Sequence, residues 1–62
     1  MSDPSDFEIT DAMLCFGGSF VAALGALWRL ADDDNRGRLK AAFEDYFREY
    51  AELAQLKAER AS

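Results

Sequence analysis

The chain has no histidine, one cysteine and one proline among its 62 residues. Without imidazole and with a single thiol, neither a zinc set nor an intrachain disulfide framework can be assembled. The nucleophile–base pairs of hydrolases are missing as well, because no histidine is present to activate Ser or Cys. No glycine-rich phosphate loop follows a strand. Strict apolar–polar alternation is nowhere sustained, so strands have little support. Basic residues are scarce: seven Lys and Arg against twelve Asp and Glu leave a net charge of −5, which opposes general binding to nucleic acid. The opening MSDPSDFEITD contains no Lys or Arg and reads as neither a secretory signal nor a transit peptide. No enzymatic activity and no cofactor are expected, and the lone Cys15 fits a reducing cytoplasm, with an intermolecular bridge as the alternative.

What is present is helical. Half the residues are hydrophobic, and the remainder is rich in Ala, Leu, Glu, Arg and Lys, all good helix formers. Ser5-Asp6-Phe7-Glu8 has the form of a capping box, with Thr10-Asp11 a second candidate start. The apolar pattern then continues to about Ala31. Asp32 or Asp33 supplies an N-cap for a second helix, whose acidic first turn complements the helix dipole. The reading is a single all-α domain over 1–62. It is an antiparallel two-helix hairpin, with helix 1 over about 6–31, a turn at about 32–33 and helix 2 over about 33–59.

In the second helix, Leu39, Phe43, Tyr46, Tyr50 and Leu53 are spaced 4, 3, 4, 3, the a/d seam of a coiled coil. Phe47 and Ala54 widen that face, and Glu44 pairs favourably with Arg48 at i,i+4. In the first helix the bulky residues cover an arc of roughly 200°, about twice what a surface helix needs. A narrow strip is left over: Asp11, Cys15, Gly18, Ala22, Gly25 and Arg29. One partner helix cannot cover so wide an arc, and at this size a lone core is marginal. The expectation is therefore that two hairpins form a homodimeric four-helix bundle. Its dimer core would be Phe16, Phe20, Leu24, Leu27, Phe43, Tyr46, Phe47 and Tyr50, so that core and interface are the same residues. Cys15, Gly18, Ala22 and Gly25 are either the indifferent outer face of the bundle or a candidate partner groove. A second protein would dock on that strip or on the acidic outer face of helix 2.

Other readings have less support. Ala12 to Trp28 is 17 residues without a charge, at the lower edge for a membrane span. Arg29, Arg36, Arg38 and Lys40 beyond it obey the positive-inside rule. Gly17, Gly18, Ser19 and Gly25 weaken its hydrophobicity, however, and the seam of the second helix needs a protein surface. The run DDDNRGRLKAAF places Asp32, Asp34 and Gly37 as in a calcium loop. Arg36 and Phe43 stand where oxygen ligands are required, so capping and solvation are expected. Asp11, one turn away, works against a thiolate nucleophile at Cys15. The cluster Arg36, Arg38 and Lys40 is offset by three aspartates as a phosphate site. Asp45, Glu49, Glu52 and Glu59 supply only part of the carboxylate array that a nucleic-acid mimic requires.

In layout the chain resembles the Rop family of plasmid RNA-binding proteins, through the acidic turn and the Leu27, Leu30, Leu39 frame across residues 24–50. That resemblance implies a helical hairpin dimerising into a four-helix bundle. The family binds RNA with polar and basic side chains of its first helix, where this chain offers only Arg29, so RNA binding is not carried over. LGALWRLADDDNRGRLKAAFEDYFREY, Leu24 to Tyr50, is similar to short uncharacterised proteins encoded in proteobacterial phages and prophages. Ala31, Asp32, Asn35, Arg38, Leu39, Ala42 and Phe43 carry that likeness, which implies a mobile-element origin and no activity. The expected role is a non-catalytic, homodimeric interaction or regulatory module. A single-span membrane protein and a Rop-like RNA-binding regulator are the alternatives.

Overall fold

The computed structural model describes residues 3–61, and among these it contains four helices and no strand. They are α1 (Asp6–Phe16), α2 (Ser19–Leu30), α3 (Asp33–Ala42) and α4 (Glu44–Ala61). The all-helical expectation holds, but each of the two expected helices is divided. Helix 1 breaks at Gly17-Gly18 and helix 2 at Phe43.

The start of α1 is built as its local sequence dictates. Ser5 Oγ accepts from the Glu8 amide at 3.2 Å, and Glu8 Oε1 accepts from the Ser5 amide at 3.1 Å. The capping box is thus closed on both sides. At its other end α1 stops where two adjacent glycines weaken the helix by about 1 kcal/mol each relative to alanine. Gly17 (φ −76°, ψ 154°) and Gly18 (φ −71°, ψ −175°) are extended, and α2 folds back against α1. Those angles are open to any residue, so glycine is required at Gly17 by proximity. A Cβ on Gly17 would lie 2.5 Å from the Met13 carbonyl oxygen and 2.7 Å from Val21 Cγ1. Gly25 permits the second close approach: a Cβ there would meet Thr10 O at 3.0 Å and Met13 Cβ at 3.2 Å.

The α2–α3 corner follows the expected boundary. Ala31 closes α2, and Asp32 Oδ1 caps α3 by accepting from the Asn35 amide at 2.9 Å. Phe43 interrupts the second half for one residue (φ −119°, ψ 38°). The ladder resumes at once through the Phe47 amide to Phe43 O at 3.1 Å. The break is a kink, after which α4 packs across α1.

The core is made by three helices. Ile9, Ala12 and Met13 of α1 meet Val21, Leu24 and Trp28 of α2 and Phe47, Tyr50 and Ala54 of α4. Leu39, Phe43, Ala51 and Leu53 pack against this cluster from the side, while α3 buries no residue fully. The longest dimension is 32 Å, shorter than the ~37 Å that a straight 25-residue helix alone would need. One chain therefore closes a core of its own, where the sequence pattern assigned that task to a pair of chains.

Candidate functional site: an exposed apolar face

The back-folding sorts the bulky residues into two groups. Leu24, Phe47 and Tyr50, expected in a dimer core, are buried within the single chain, and Phe43 is half-buried. The other four expected core residues remain in water: Phe16 is 57% exposed, Phe20 58%, Leu27 51% and Tyr46 36%. Leu30, 84% exposed, joins them. Within the single chain the core and the outer apolar surface are thus different residues.

These side chains are grouped. The Phe20 ring lies 5.9 Å from Phe43 and 5.9 Å from Tyr46, and Phe43 and Tyr46 are 6.2 Å apart. Phe20 and Leu27 are two turns apart on one side of α2. Beyond Leu27 the face deepens into a groove of about 430 Å³ between α2 and α3, lined by Leu27, Leu30, Ala31, Leu39 and Ala42, with Asn35 and Arg38 at its polar edge. None of these lining or ring residues carries a carboxylate.

The candidate small-residue groove takes a different form. Because the chain reverses at Gly17-Gly18, Cys15, Gly18, Ala22 and Gly25 do not share one helix. Gly25 is buried against Thr10 and Met13 of α1, Ala22 is half-buried, and Cys15 and Gly18 are exposed. The close approach that glycine allows is made within the chain. The same break divides the uncharged run Ala12–Trp28 between an 11-residue and a 12-residue helix. Among the described residues no helix is long and apolar enough to cross a membrane.

Two arginines carry more of the fold than their spacing in sequence suggests. Arg29 Nε donates to Thr10 Oγ1 at 3.2 Å, and its Nη2 donates to Phe7 O at 3.0 Å. Thr10, fully buried, in turn donates its hydroxyl to Asp6 O and Phe7 O, so its polar atoms are satisfied. Arg36 donates to Trp28 O at 3.0 Å and Arg29 O at 3.1 Å, two carbonyls in the last turn of α2. Its guanidinium sits 4.3 Å from the Trp28 ring centroid, and Phe7 meets Trp28 edge-on at 5.2 Å. The signal for Arg36 was available: a cation just beyond a helix end can satisfy that helix's orphan carbonyls. Nothing local pointed to Arg29, whose partners lie 19 and 22 residues away.

Ion pairs fasten α1 to the second half of the chain. Lys40 reaches Asp6 at 3.0 Å, and Lys57 reaches Asp11 at 2.9 Å. The Lys57 hydrogen bond, then its charge, hold the Asp11 carboxyl below its ordinary range. Asp11 in the same two ways raises the Lys57 ammonium above its own. Asp32, Asp33 and Asp34 serve the start of α3 as cap and first turn. Among the described residues no group of three or more His, Cys, Asp or Glu is placed to hold a metal ion. Comparison with protein families, curated proteins and solved structures gives no match to this chain, so the apolar face is the feature from which a role can be argued.

Proposed function

We propose that the chain is a non-catalytic, self-associating helical interaction module of the cytoplasm, working as a homodimer. One observation carries this reading: Phe20, Leu27, Leu30 and Tyr46 form an exposed apolar face around a groove, on a chain that already encloses a core of its own. Monomers rarely keep such contiguous patches in water. A second copy presenting the same surface can cover it by two-fold pairing. Arg29 and Arg36 are occupied by backbone carbonyls and aromatic rings, which does not favour a Rop-like RNA-binding role.

Light scattering in dilute buffer tests the reading. The expected mass is twice the 6.9 kDa of one chain. Phe20→Asp and Leu30→Glu should give monomers that keep their far-UV helical signal, because neither side chain belongs to the buried cluster. A native chain that is folded and monomeric at high micromolar concentration would overturn the proposal.

A further inference from the structure

We infer that Gly17-Gly18 is a hinge through which two copies exchange α1, each inserting it between α2 and α4 of the other. This rests on the self-association proposed above and specifies how the second copy is engaged. Three observations point the same way. The first is the apolar pattern, which runs through the break without losing register: Met13, Phe16, Phe20, Leu24 and Leu27 keep the 3-4 spacing of one helix. The second is the pair of helix ends at the hinge. No side chain caps α2 at Gly18, and straightening would return up to about four backbone hydrogen bonds to the helix. The third is steric. The closed form leaves no room for a Cβ on Gly17, whose nearest atoms belong to Met13 and Val21 on the two arms of the bend. In a straight helix those arms point apart.

The occupant is fixed by the site it fills. The surface that receives α1 is shaped for Thr10 and Met13 at Gly25 and for Asp11 at Lys57. The element that matches it is another α1. Phe16 and Phe20, both exposed in the closed chain, flank the hinge and would stack at i,i+4 on the straightened helix. Two such helices crossing at their hinges would bring these rings together at the two-fold axis. Exchange thus buries exposed aromatic surface while reproducing the α1 contacts of the closed chain away from the bend, the usual basis of domain swapping.

Alanine at three glycines separates the forms experimentally. Gly17→Ala obstructs only the closed bend, and should strengthen dimerisation by about tenfold or more per chain, the scale of an overpacking penalty placed on the competing form. Gly18→Ala meets no atom within 4 Å, and should favour the straight helix by about fivefold per chain through helix propensity alone. Gly25→Ala crowds the α1–α2 contact in either form, and should weaken both without changing their ratio.

Connectivity is read by carbodiimide, which condenses the Asp11 carboxylate with the Lys57 amine, 2.9 Å apart, into an amide with loss of water to the reagent. Native chain and Gly17→Ala are each refolded from an equal mixture of normal and heavy-isotope protein, then linked. Linked peptides that join a light Asp11 fragment to a heavy Lys57 fragment are expected, and to a greater extent in Gly17→Ala. A dimer whose links are all within one isotope overturns the exchange and leaves self-association standing. A Gly17→Ala chain that loses its helical signal, or stays as monomeric as the native one, overturns the hinge. A native chain that is monomeric throughout overturns the reading beneath it.

Discussion

Arg36 shows how one side chain can join parts that propensity alone leaves separate. Its guanidinium ends α2 by taking the carbonyls of Trp28 and Arg29, and its face covers the Trp28 ring. Charged hydrogen bonds to carbonyls and a partly desolvated cation–π contact each contribute on the order of 1 kcal/mol or more. Arg36→Ala is therefore expected to destabilise the chain by about 2 kcal/mol in urea unfolding followed by circular dichroism. Arg36→Lys should recover only part of this, because an ammonium cannot lie flat on the indole while reaching two carbonyls. A loss within about 0.5 kcal/mol, typical of neutral surface changes, would show the corner to be held by its backbone bonds alone. The glycines make the complementary point: Gly17 and Gly25 matter for the atom they lack, and each marks a place where α1 is pressed against α2.

At the scale of elements, what the sequence reveals divides by range. The Ser5–Glu8 box, the Asp32 cap, the boundary at Ala31 and the Glu44–Arg48 pair at 3.0 Å are contacts over three or four residues, and each is legible locally. The break at Gly17-Gly18 is not. Periodicity continues across it, and what folds α1 back is the burial of Ile9, Ala12 and Met13 against residues of α2 and α4 distant in sequence. Phe43 likewise fits the seam it interrupts. The candidate site was half legible: its bulky residues were identified, but which lie inside and which outside depends on the bend. The ties between α1 and α4 have a pH signature. Asp11 titrates below its ordinary 3.8, so its contribution is complete above that value and is lost as pH falls through the lowered one. Lys57 titrates above its ordinary 10.5, so its contribution is complete below that value and is lost as pH rises through the raised one. The melting temperatures of native chain and Lys57→Met should thus differ by a constant, small amount between about pH 5 and 9. That difference should close toward both extremes, and a gap that persists once Asp11 is protonated would mean the Lys57 stem contributes by packing.

For the whole molecule, charge and apolar surface oppose each other. Two copies at −5 each repel, while the face that would join them contains no carboxylate. Screening removes the repulsion and leaves apolar burial nearly untouched. Sedimentation equilibrium should accordingly show the dimer strengthening from 20 mM to 500 mM salt, as apolar pairing between acidic chains requires. Weakening with salt would mean that ion pairs hold the copies together, and would redirect attention to the charged faces of α3 and α4.

Trp28 is the only indole in the chain, and it is 4% exposed between the edge of Phe7 and the guanidinium of Arg36. Its emission should be blue-shifted in the folded protein and move to the red when α1 leaves α2. Since Phe7 belongs to α1, an exchanged α1 would give the indole the same neighbours whichever chain supplied them. Tryptophan fluorescence in this protein is consequently a faithful optical gauge of folding that does not register chain exchange. A slow change in mass at constant emission would be the kinetic mark of two copies trading a helix.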